Sequence, residues 1–227
     1  MSQLTLDEPR SEAELMARAR RLAGWTVGEL GAALGVPVPE STRRAKGLAG
    51  QLVERFLGAS AGSRDAADFQ AIGVELKTLP IDVRGRPKES TFVCTIQPNR
   101  MAALDFEDSP CWHKLQRVLW VPVEASDAWP LPGRRLGSPI LWSPSPAERR
   151  VLQDDWERVA ARIAEGNLDD IDASLGDALQ VRPKAATSAA RPRVPDADGA
   201  FQWQNPRGFY LRTSFTRQVL RALEDLA

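Results

Sequence analysis

Residues 68–77 read DFQAIGVELK, and the rest of the chain is interpreted outward from this stretch. Its last four residues, Val74 to Lys77, alternate apolar and charged side chains, which is typical of a strand. Because a strand sends successive side chains to opposite faces, Glu75 and Lys77 share one face while Val74 and Leu76 point into the core. The pattern predicts a strand that presents an acid and a base side by side.

The charged residues of this stretch have the chemistry of a magnesium site. Asp68 and Glu75 supply hard carboxylate oxygens of the kind that Mg²⁺ prefers. Lys77 adds an ammonium group beside the ion, where it can orient and polarise a water. An acid followed at a distance by Glu-x-Lys is the PD-(D/E)xK pattern of many metal-dependent nucleases. The same spacing also occurs by chance, and the alternative is an edge strand with a solvated charged face.

The composition is that of an ordinary soluble protein. The chain has 227 residues, 43% hydrophobic and 26% charged, enough for one large domain or two small lobes. No apolar run approaches the length that crosses a bilayer, and the first residues do not resemble a signal peptide. Two cysteines and one histidine leave no cluster for zinc. We expect a cytoplasmic protein with no membrane partner.

The charge balance limits how the protein could bind nucleic acid. Thirty basic and thirty acidic residues cancel, whereas a protein that grips DNA by charge alone is usually basic. Neutrality still allows a DNA enzyme with a local basic cleft that a partner recruits. Nothing in the chain resembles an ATP-binding loop, so any nucleotide would belong to that partner.

Capping and periodicity predict an alternation of helices and strands. Capping boxes predict helices that begin at Ser11, Thr26 and Ser145. A further helix is predicted over residues 41–57, and Thr91–Ile96 is predicted as a strand beside the Glu-x-Lys strand. The remaining predicted strands cover residues 118–121, which look buried on both faces, 136–142, 178–182 and 208–212. Residues 1–10 are predicted to be disordered, and approximate flexible loops are predicted over 98–110 and 185–205.

Several polar side chains outside the central stretch have two interpretations. Glu54 looks like a surface glutamate on pattern alone. Lys46, with Arg43 and Arg44, is either a solvated charge or a phosphate contact near Gly47, where close backbone approach is possible. The same ambiguity holds for Lys114. Tyr210 is a packing residue or, in a groove beside Arg182, a base contact.

Taken together, the chain resembles the MutH family of strand-incision endonucleases in methyl-directed mismatch repair. The resemblance runs in order over nearly the whole chain. It rests on Glu54 and on the blocks LGASAGS (57–63), DFQAIGVELKT (68–78), TFVC (91–94), HKLQRVLWVPVE (113–124), GSPILWSP (137–144), LQVRPKAA (179–186) and PRGFYL (206–211).

The resemblance implies a restriction-endonuclease-like α/β fold with a mixed central sheet flanked by helices. It implies a single domain over residues 1–227, with two lobes around a DNA-binding cleft. The implied activity is Mg²⁺-dependent nicking, with one or two ions, of the unmethylated strand 5′ to the G at hemimethylated GATC. The implied partners are double-stranded DNA with hemimethylated or unmethylated GATC, MutL as activator and MutS indirectly. A monomer is expected.

The resemblance also implies roles for particular residues. The catalytic residues would be Glu54, Asp68, Glu75, Lys77 and Lys114. The metal would be held by Asp68, Glu75, Glu54 and the backbone carbonyl of Leu76. The DNA-binding residues would be Lys46, Gly47, Phe92, Arg182, Pro183, Lys184 and Tyr210, with Tyr210 sensing the adenine methyl group.

Two other functions are compatible with the same residues. A type II restriction endonuclease would cut both strands of GATC and usually needs two active sites. A non-catalytic methylation-sensing DNA-binding protein would have to account for the joint presence of Glu54, Asp68, Glu75 and Lys77. A monomer that produces only nicks would disfavour the first alternative, and plasmid nicking with Mg²⁺ against EDTA separates the second.

Overall fold

The structure is a computed structural model that describes residues 7–41, 45, 47–60, 66–126, 128–167, 171–184 and 206–224, with side chains as far as Arg221. Its elements, in chain order, are α1 (Glu12–Arg20), α2 (Val27–Leu34), α3 (Leu48–Leu57), β1 (Glu75–Ile81), β2 (Thr91–Thr95), α4 (Pro98–Met101), α5 (Pro110–His113), β3 (Val118–Glu124), β4 (Ile140–Trp142), α6 (Pro146–Ala164), β5 (Leu179–Pro183), β6 (Arg207–Leu211) and α7 (Thr213–Glu224). No helix among these residues is long and apolar enough to span a membrane.

The chain divides into two compact units. The first unit is Met1–Glu89 with Arg117–Ser143, and the second unit is Ser90–Gln116 with Pro144–Ala227. Each unit has its own sheet and flanking helices, so the predicted α/β class is confirmed.

The sheet of the first unit has the order β1-β3-β4. β3 lies parallel to β1, with Glu75 opposite Val118, and antiparallel to β4. Six of the seven residues of β3 are buried, which confirms the predicted strand covered on both faces. Helices α1 to α3 pack their apolar side chains into the same core, and this core supports the stretch 68–77.

The sheet of the second unit is antiparallel and has the order β2-β6-β5. The strand predicted at Thr91–Ile96 is present as β2, but its predicted position beside the Glu-x-Lys strand is wrong. It pairs with β6, while β1 pairs with β3. Residue types predict that a segment is extended, whereas the choice of partner strand depends on contacts far along the chain.

The predicted helix starts at Ser11, Thr26 and Ser145 are confirmed. Thr26 and Ser145 form reciprocal capping boxes with the glutamates three residues later. Ser11 accepts a bond from the Glu14 N–H, but the Glu14 carboxylate accepts from the backbone N–H of Arg10 at 2.9 Å instead. The first helix therefore has the N-cap bond from Ser11 but not the reciprocal bond of a full capping box.

Two predicted segments differ in the structure. The helix predicted over 41–57 begins at Leu48, because Gly47 directly before it adopts φ +80°, which lies outside the helical region. The loop predicted over 98–110 contains α4 and a 3₁₀ turn at Phe106–Asp108, and Met101 and Phe106 bury their side chains there. Residues 185–205 lie outside the described residues.

Candidate active site

A short turn brings the first acid back beside the second. Phe69 and Val74 pair in an antiparallel bridge, with hydrogen bonds of 2.9 and 3.2 Å in the two directions, and Gly73 adopts φ +66° within the turn. This register places Asp68 opposite Glu75. Asp68 Oδ2 accepts a hydrogen bond of 2.9 Å from the Leu76 N–H, which holds its carboxylate at the start of β1. The spacing of the two acids is therefore that of a tight hairpin.

Glu75 and Lys77 form an ion pair on one face of β1. Lys77 Nζ lies 2.5 Å from Glu75 Oε1, and the Lys77 side chain is 14% exposed while the Glu75 side chain is 2% exposed. The predicted alternation is confirmed in that the two residues share a face. The alternative of a solvated charged face is wrong for Glu75, which is buried. Burial of an ion pair costs desolvation free energy that offsets the attraction between the charges. A functional role therefore explains this pair better than a contribution to stability does.

The electrostatics of Asp68 show how closely the acids act on one another. The pKa of Asp68 is raised to about 6, chiefly by burial and then by the charges of Glu75 and Glu54, while the Leu76 N–H and Lys77 oppose the shift. Asp68 is only 7% exposed. A carboxyl group with a raised pKa among other acids is typical of a functional site and of a place where a cation binds well.

Glu54 reaches the same region from α3. An added Cβ on Gly50, one helical turn earlier, would lie 3.3 Å from Thr78 Oγ1 and 4.0 Å from Glu54 Oε1. The absence of a side chain at Gly50 thus lets α3 approach β1 closely. Glu54 is half-buried and its charge acts on Asp68. Sequence pattern alone placed it on the surface, and only the packing of α3 on β1 brings it near the acids.

The donor set fits a hard divalent cation. Within the described part of the chain, no three His, Cys, Asp or Glu side chains are already gathered as a metal cage. The carboxylates are nevertheless electrostatic neighbours, and the Glu75 carboxylate is held by Lys77 while Asp68 is held by Leu76. A cation near Asp68 would relieve the mutual repulsion that raises its pKa. Mg²⁺ and the carbonyl ligand from Leu76 stay predictions.

The N-terminal residues hold the loop that contains Asp68. The carboxylate of Glu8 accepts bonds from Ser60 Oγ at 2.7 Å and from the Ala71 N–H at 2.8 Å. The Ser60 N–H in turn donates to the backbone carbonyl of Asp68 at 3.0 Å. The predicted disorder is therefore wrong for residues 7–10, and residues 1–6 lie outside the described residues. No residue pattern signalled this role for Glu8.

We expect Glu8→Ala to loosen the loop around Asp68 without unfolding the protein. Glu8 accepts two hydrogen bonds, each worth about 1 kcal/mol at an exposed site, so divalent-cation affinity should fall by roughly 5-fold to 30-fold. Amide exchange at Ala71 should accelerate, since its N–H loses its acceptor. Calorimetric titration with Mg²⁺ and residue-resolved exchange measure the two effects.

Asp7→Ala is the matched control, because the exposed Asp7 uses only its backbone carbonyl to accept from Arg18. Equal exchange rates at Ala71 in the Glu8→Ala variant and the wild type would show that Glu8 does not hold the loop.

The predicted DNA-binding residues of the second unit gather on one sheet. Phe92 on β2 lies opposite Tyr210 on β6, and their rings meet edge to face at 5.3 Å. The Arg182 guanidinium lies over the Tyr210 ring at 5.8 Å, and Lys184 Nζ lies over the Phe92 ring at 5.3 Å. The result is an outward face of two aromatic rings, each accompanied by a cation.

Side-chain hydrogen bonds fix the two cations on this face. Arg182 donates to Ser90 Oγ at 2.7 Å, and Lys184 donates to Thr95 Oγ1 at 2.9 Å. Both side chains remain exposed, as does Pro183 between them. Partial burial raises the pKa of Tyr210, although the nearby Arg182 opposes the shift, so the phenol keeps its proton near neutral pH. The face offers N–H and O–H donors together with apolar ring surface.

Three further residues, Lys46, Gly47 and Lys114, are predicted to take part in catalysis or DNA binding. Lys46 lies outside the described residues. Gly47 precedes the first residue of α3. Lys114 follows the last residue of α5 in the second unit, whereas the acids belong to the first unit. The roles of these three residues stay predictions.

Sequence reasoning missed one buried acid in the second unit. Asp155 lies on α6 and is 1% exposed. It is three residues after Leu152 and four before Val159, so it occupies the apolar stripe of the helix. An acid within such a stripe is a signal that the sequence does contain.

A mixed α/β fold with two buried acids and a lysine at the start of one strand is that of the restriction-endonuclease-like enzymes.

Comparison with known proteins then gives the family. A family model described as DNA mismatch repair enzyme MutH matches residues 57–155. The DNA mismatch repair protein MutH of Klebsiella pneumoniae (strain 342) is 49% identical over 212 residues, which cover 93% of this chain and 92% of that protein. The DNA mismatch repair protein MutH of Shewanella baltica (strain OS185) is 47% identical over 212 residues, or 93% and 95%. The chain belongs to the MutH family of DNA mismatch repair enzymes, the endonuclease family that the sequence blocks predict.

Proposed function

We propose that this protein is a Mg²⁺-dependent endonuclease that nicks the unmethylated strand 5′ to the G of hemimethylated GATC and that MutL activates it. The observation that carries the proposal is the buried cluster of Asp68 with the Glu75–Lys77 ion pair at the start of β1. Family membership supports the mismatch-repair context.

The proposed chemistry is in-line hydrolysis of a phosphodiester. When bound, a divalent ion supplies a coordinated water of lowered pKa and neutralises charge on the phosphate. Asp68, Glu75 and Glu54 would hold this ion through their carboxylates. An ammonium group has three donors, so Lys77 can hold Glu75 and orient the attacking water at the same time.

The outward face of the second sheet is the proposed base-reading surface. Arg182 and Lys184 present cations there, and Tyr210 presents a phenol and a ring edge. A methyl group on the adenine amine changes both the donor and the shape that such a face meets in the major groove. This contact would distinguish an unmethylated from a methylated adenine.

The balanced charge of the chain supports a need for recruitment. Thirty basic residues against thirty acidic ones give little long-range attraction to a phosphate backbone. Weak autonomous binding is then overcome by a partner that raises the local concentration at the site. MutL, acting with MutS bound at a mismatch, is the proposed partner.

The test is nicking of a supercoiled plasmid that contains a hemimethylated GATC site. We expect nicked circles with Mg²⁺, none with EDTA, and a faster reaction when MutL and ATP are added. End-mapping of the product should place the break 5′ to the G on the unmethylated strand. Absence of nicking under all of these conditions would overturn the proposal.

The same assay decides between this function and its two alternatives. Linear product with both strands of GATC cut would indicate a restriction endonuclease. Methylation-dependent binding without any break would indicate a sensing protein. A monomer in solution that makes only nicks agrees with the proposed function.

Tyr210→Ala should weaken methylation discrimination. A poor contact at one base edge costs about 1–3 kcal/mol, so the ratio of nicking rates between unmethylated and fully methylated duplexes should fall roughly tenfold. Rates on unmethylated, hemimethylated and fully methylated duplexes measure the ratio. Tyr210→Phe is the control that keeps the ring on Phe92 and removes only the hydroxyl. A rate ratio unchanged in Tyr210→Ala would remove this residue from the role.

A further inference from the structure

Asp155 on α6 is a buried carboxylate. It accepts hydrogen bonds from residues 177–179, which are distant in sequence, and from Arg158 on its own helix. Its oxygens accept from the backbone N–H groups of Asp177 at 2.9 Å, Ala178 at 2.7 Å and Leu179 at 2.8 Å. The exposed Arg158 lies with its guanidinium Nη1 3.3 Å from Asp155 Oδ1. Hydrogen bonds to a charged acceptor are stronger than neutral ones. The carboxylate therefore fixes the position of the residues that lead into β5 through these hydrogen bonds.

The segment held by Asp155 is shaped for that contact. Gly176 adopts φ +91°, and a Cβ added there would meet the Leu179 carbonyl oxygen at 2.3 Å and Asp155 Cγ at 3.0 Å. A side chain at position 176 would thus displace either the strand or the acid. The close approach of the backbone to the carboxylate depends on this glycine.

The same segment is fixed by Arg212, the residue that directly follows β6. Arg212 Nε donates to the Gly176 carbonyl at 2.9 Å, and its guanidinium also donates to the Ala173 carbonyl at 2.5 Å. The Arg212 N–H donates to the Ala178 carbonyl at 2.8 Å. The start of β5 is held between an acid on one side and a base on the other.

β5 carries Arg182 and leads directly into Lys184, and these two residues are the proposed base-reading cations. Among the described strands it pairs only with β6, with Gln180 opposite Tyr210 and Arg182 opposite Gly208. Its alternation puts Leu179 and Val181 in the core and Arg182 outside. A shift of one residue would send every side chain of the strand to the wrong face.

We propose that Asp155 is a positioning residue for DNA recognition, which sets the start of β5 and so the placement of Arg182 over Tyr210 and of Lys184 over Phe92. This inference rests on the proposed function, since it concerns the same base-reading surface. Asp155 itself touches no DNA. Its effect reaches the substrate through the strand.

Asp155→Asn is the test variant, because the amide keeps the shape but turns one acceptor into a donor that faces N–H groups. Asp154→Asn is the matched control, since Asp154 is the exposed neighbour on the same helix. We expect hydrogen exchange at the backbone amides of Asp177, Ala178 and Leu179 to be faster in Asp155→Asn than in the wild type. The preference for GATC over a site with one altered base pair should fall roughly tenfold.

The kinetic signature separates positioning from a general loss of structure. KM should rise in Asp155→Asn while kcat at saturating DNA stays unchanged, and the Mg²⁺-induced rise in melting temperature should persist, because the acids belong to the first unit. If Asp155→Asn does not fold, Arg212→Lys replaces it as the test variant, because Arg212 holds the same segment from the other side.

The outcomes are distinguishable. A wild type that prefers GATC, with a variant that keeps this preference despite faster exchange at residues 177–179, overturns the inference alone. A wild type without any preference for GATC overturns the proposed function and this inference with it. Faster exchange, raised KM and lost preference together, absent from Asp154→Asn, support the positioning role.

Discussion

Asp68→Asn should abolish nicking and make the protein more stable. Loss of one group that stabilises the transition state costs roughly 10²–10³-fold in rate. The amide keeps an acceptor for the Leu76 N–H but removes a charge that is buried and repelled by Glu75 and Glu54. Because the pKa of Asp68 is raised to about 6, the free energy of unfolding near neutral pH should rise by about 1–3 kcal/mol in the variant.

The sign of this effect depends on pH. A carboxyl group whose folded-state pKa lies above its unfolded value destabilises the fold when it ionises. The wild type should therefore lose stability as pH rises from 3.8 to about 6, and the loss should stay constant above that range. Asp68→Asn should not show this loss. Urea unfolding of both proteins over this pH range measures the difference.

Cation binding gives a readout of the same residue that does not depend on activity. Mg²⁺ should raise the melting temperature of the wild type by mass action, and this rise should be absent or much smaller in Asp68→Asn. Asp154→Asn, which removes an exposed acid from the second unit, should behave as the wild type in all three measurements. A metal-free Asp68→Asn protein less stable than the wild type at neutral pH would contradict the electrostatic account.

Lys77→Met should abolish nicking and make the protein less stable. Its ammonium is the proposed orienting group for the attacking water, so the rate should fall roughly 10²–10³-fold. The substitution leaves the buried Glu75 carboxylate without the cation that lies 2.5 Å away. Removal of one member of a buried ion pair costs about 3–5 kcal/mol. Two substitutions in the proposed catalytic cluster are thus expected to change the free energy of unfolding in opposite directions.

A double-mutant cycle checks the cause of that destabilisation. Glu75→Gln combined with Lys77→Met removes both charges, so the double variant should be more stable than Lys77→Met alone while nicking stays absent. Arg20→Met, at an exposed cation in the last turn of α1, is the control for charge removal. If the double variant were no more stable than Lys77→Met, loss of packing rather than loss of the cation beside Glu75 would explain the result.

Local signals in the sequence were reliable where the physics is local. Capping residues marked the starts of α1, α2 and α6, and an unbroken apolar run marked β3 as a buried strand. The start of α3 was misplaced, since Gly47 at φ +80° interrupts a pattern that otherwise looks helical. One residue with a special backbone conformation outweighs several with good helix propensity.

The site was only partly visible in the sequence. Glu75 and Lys77 share a face because a strand alternates, and Asp68 joins them through a hairpin a few residues long. Glu54 and Asp155 could not be placed in this way, because each acts on a segment that another element brings near. Their roles depend on helix packing, which no short stretch of residues encodes.

By itself, the sequence determined the type of most elements, the acid and base at the start of β1 and the family of the chain. Tertiary structure alone decided that Thr91–Thr95 joins a second sheet, that Glu54 acts on Asp68, and that Glu8 and Asp155 hold distant loops. The physical reason is range. Alternation and capping act over a few residues, whereas strand partners and buried charges are settled by contacts between segments that are far apart in the chain.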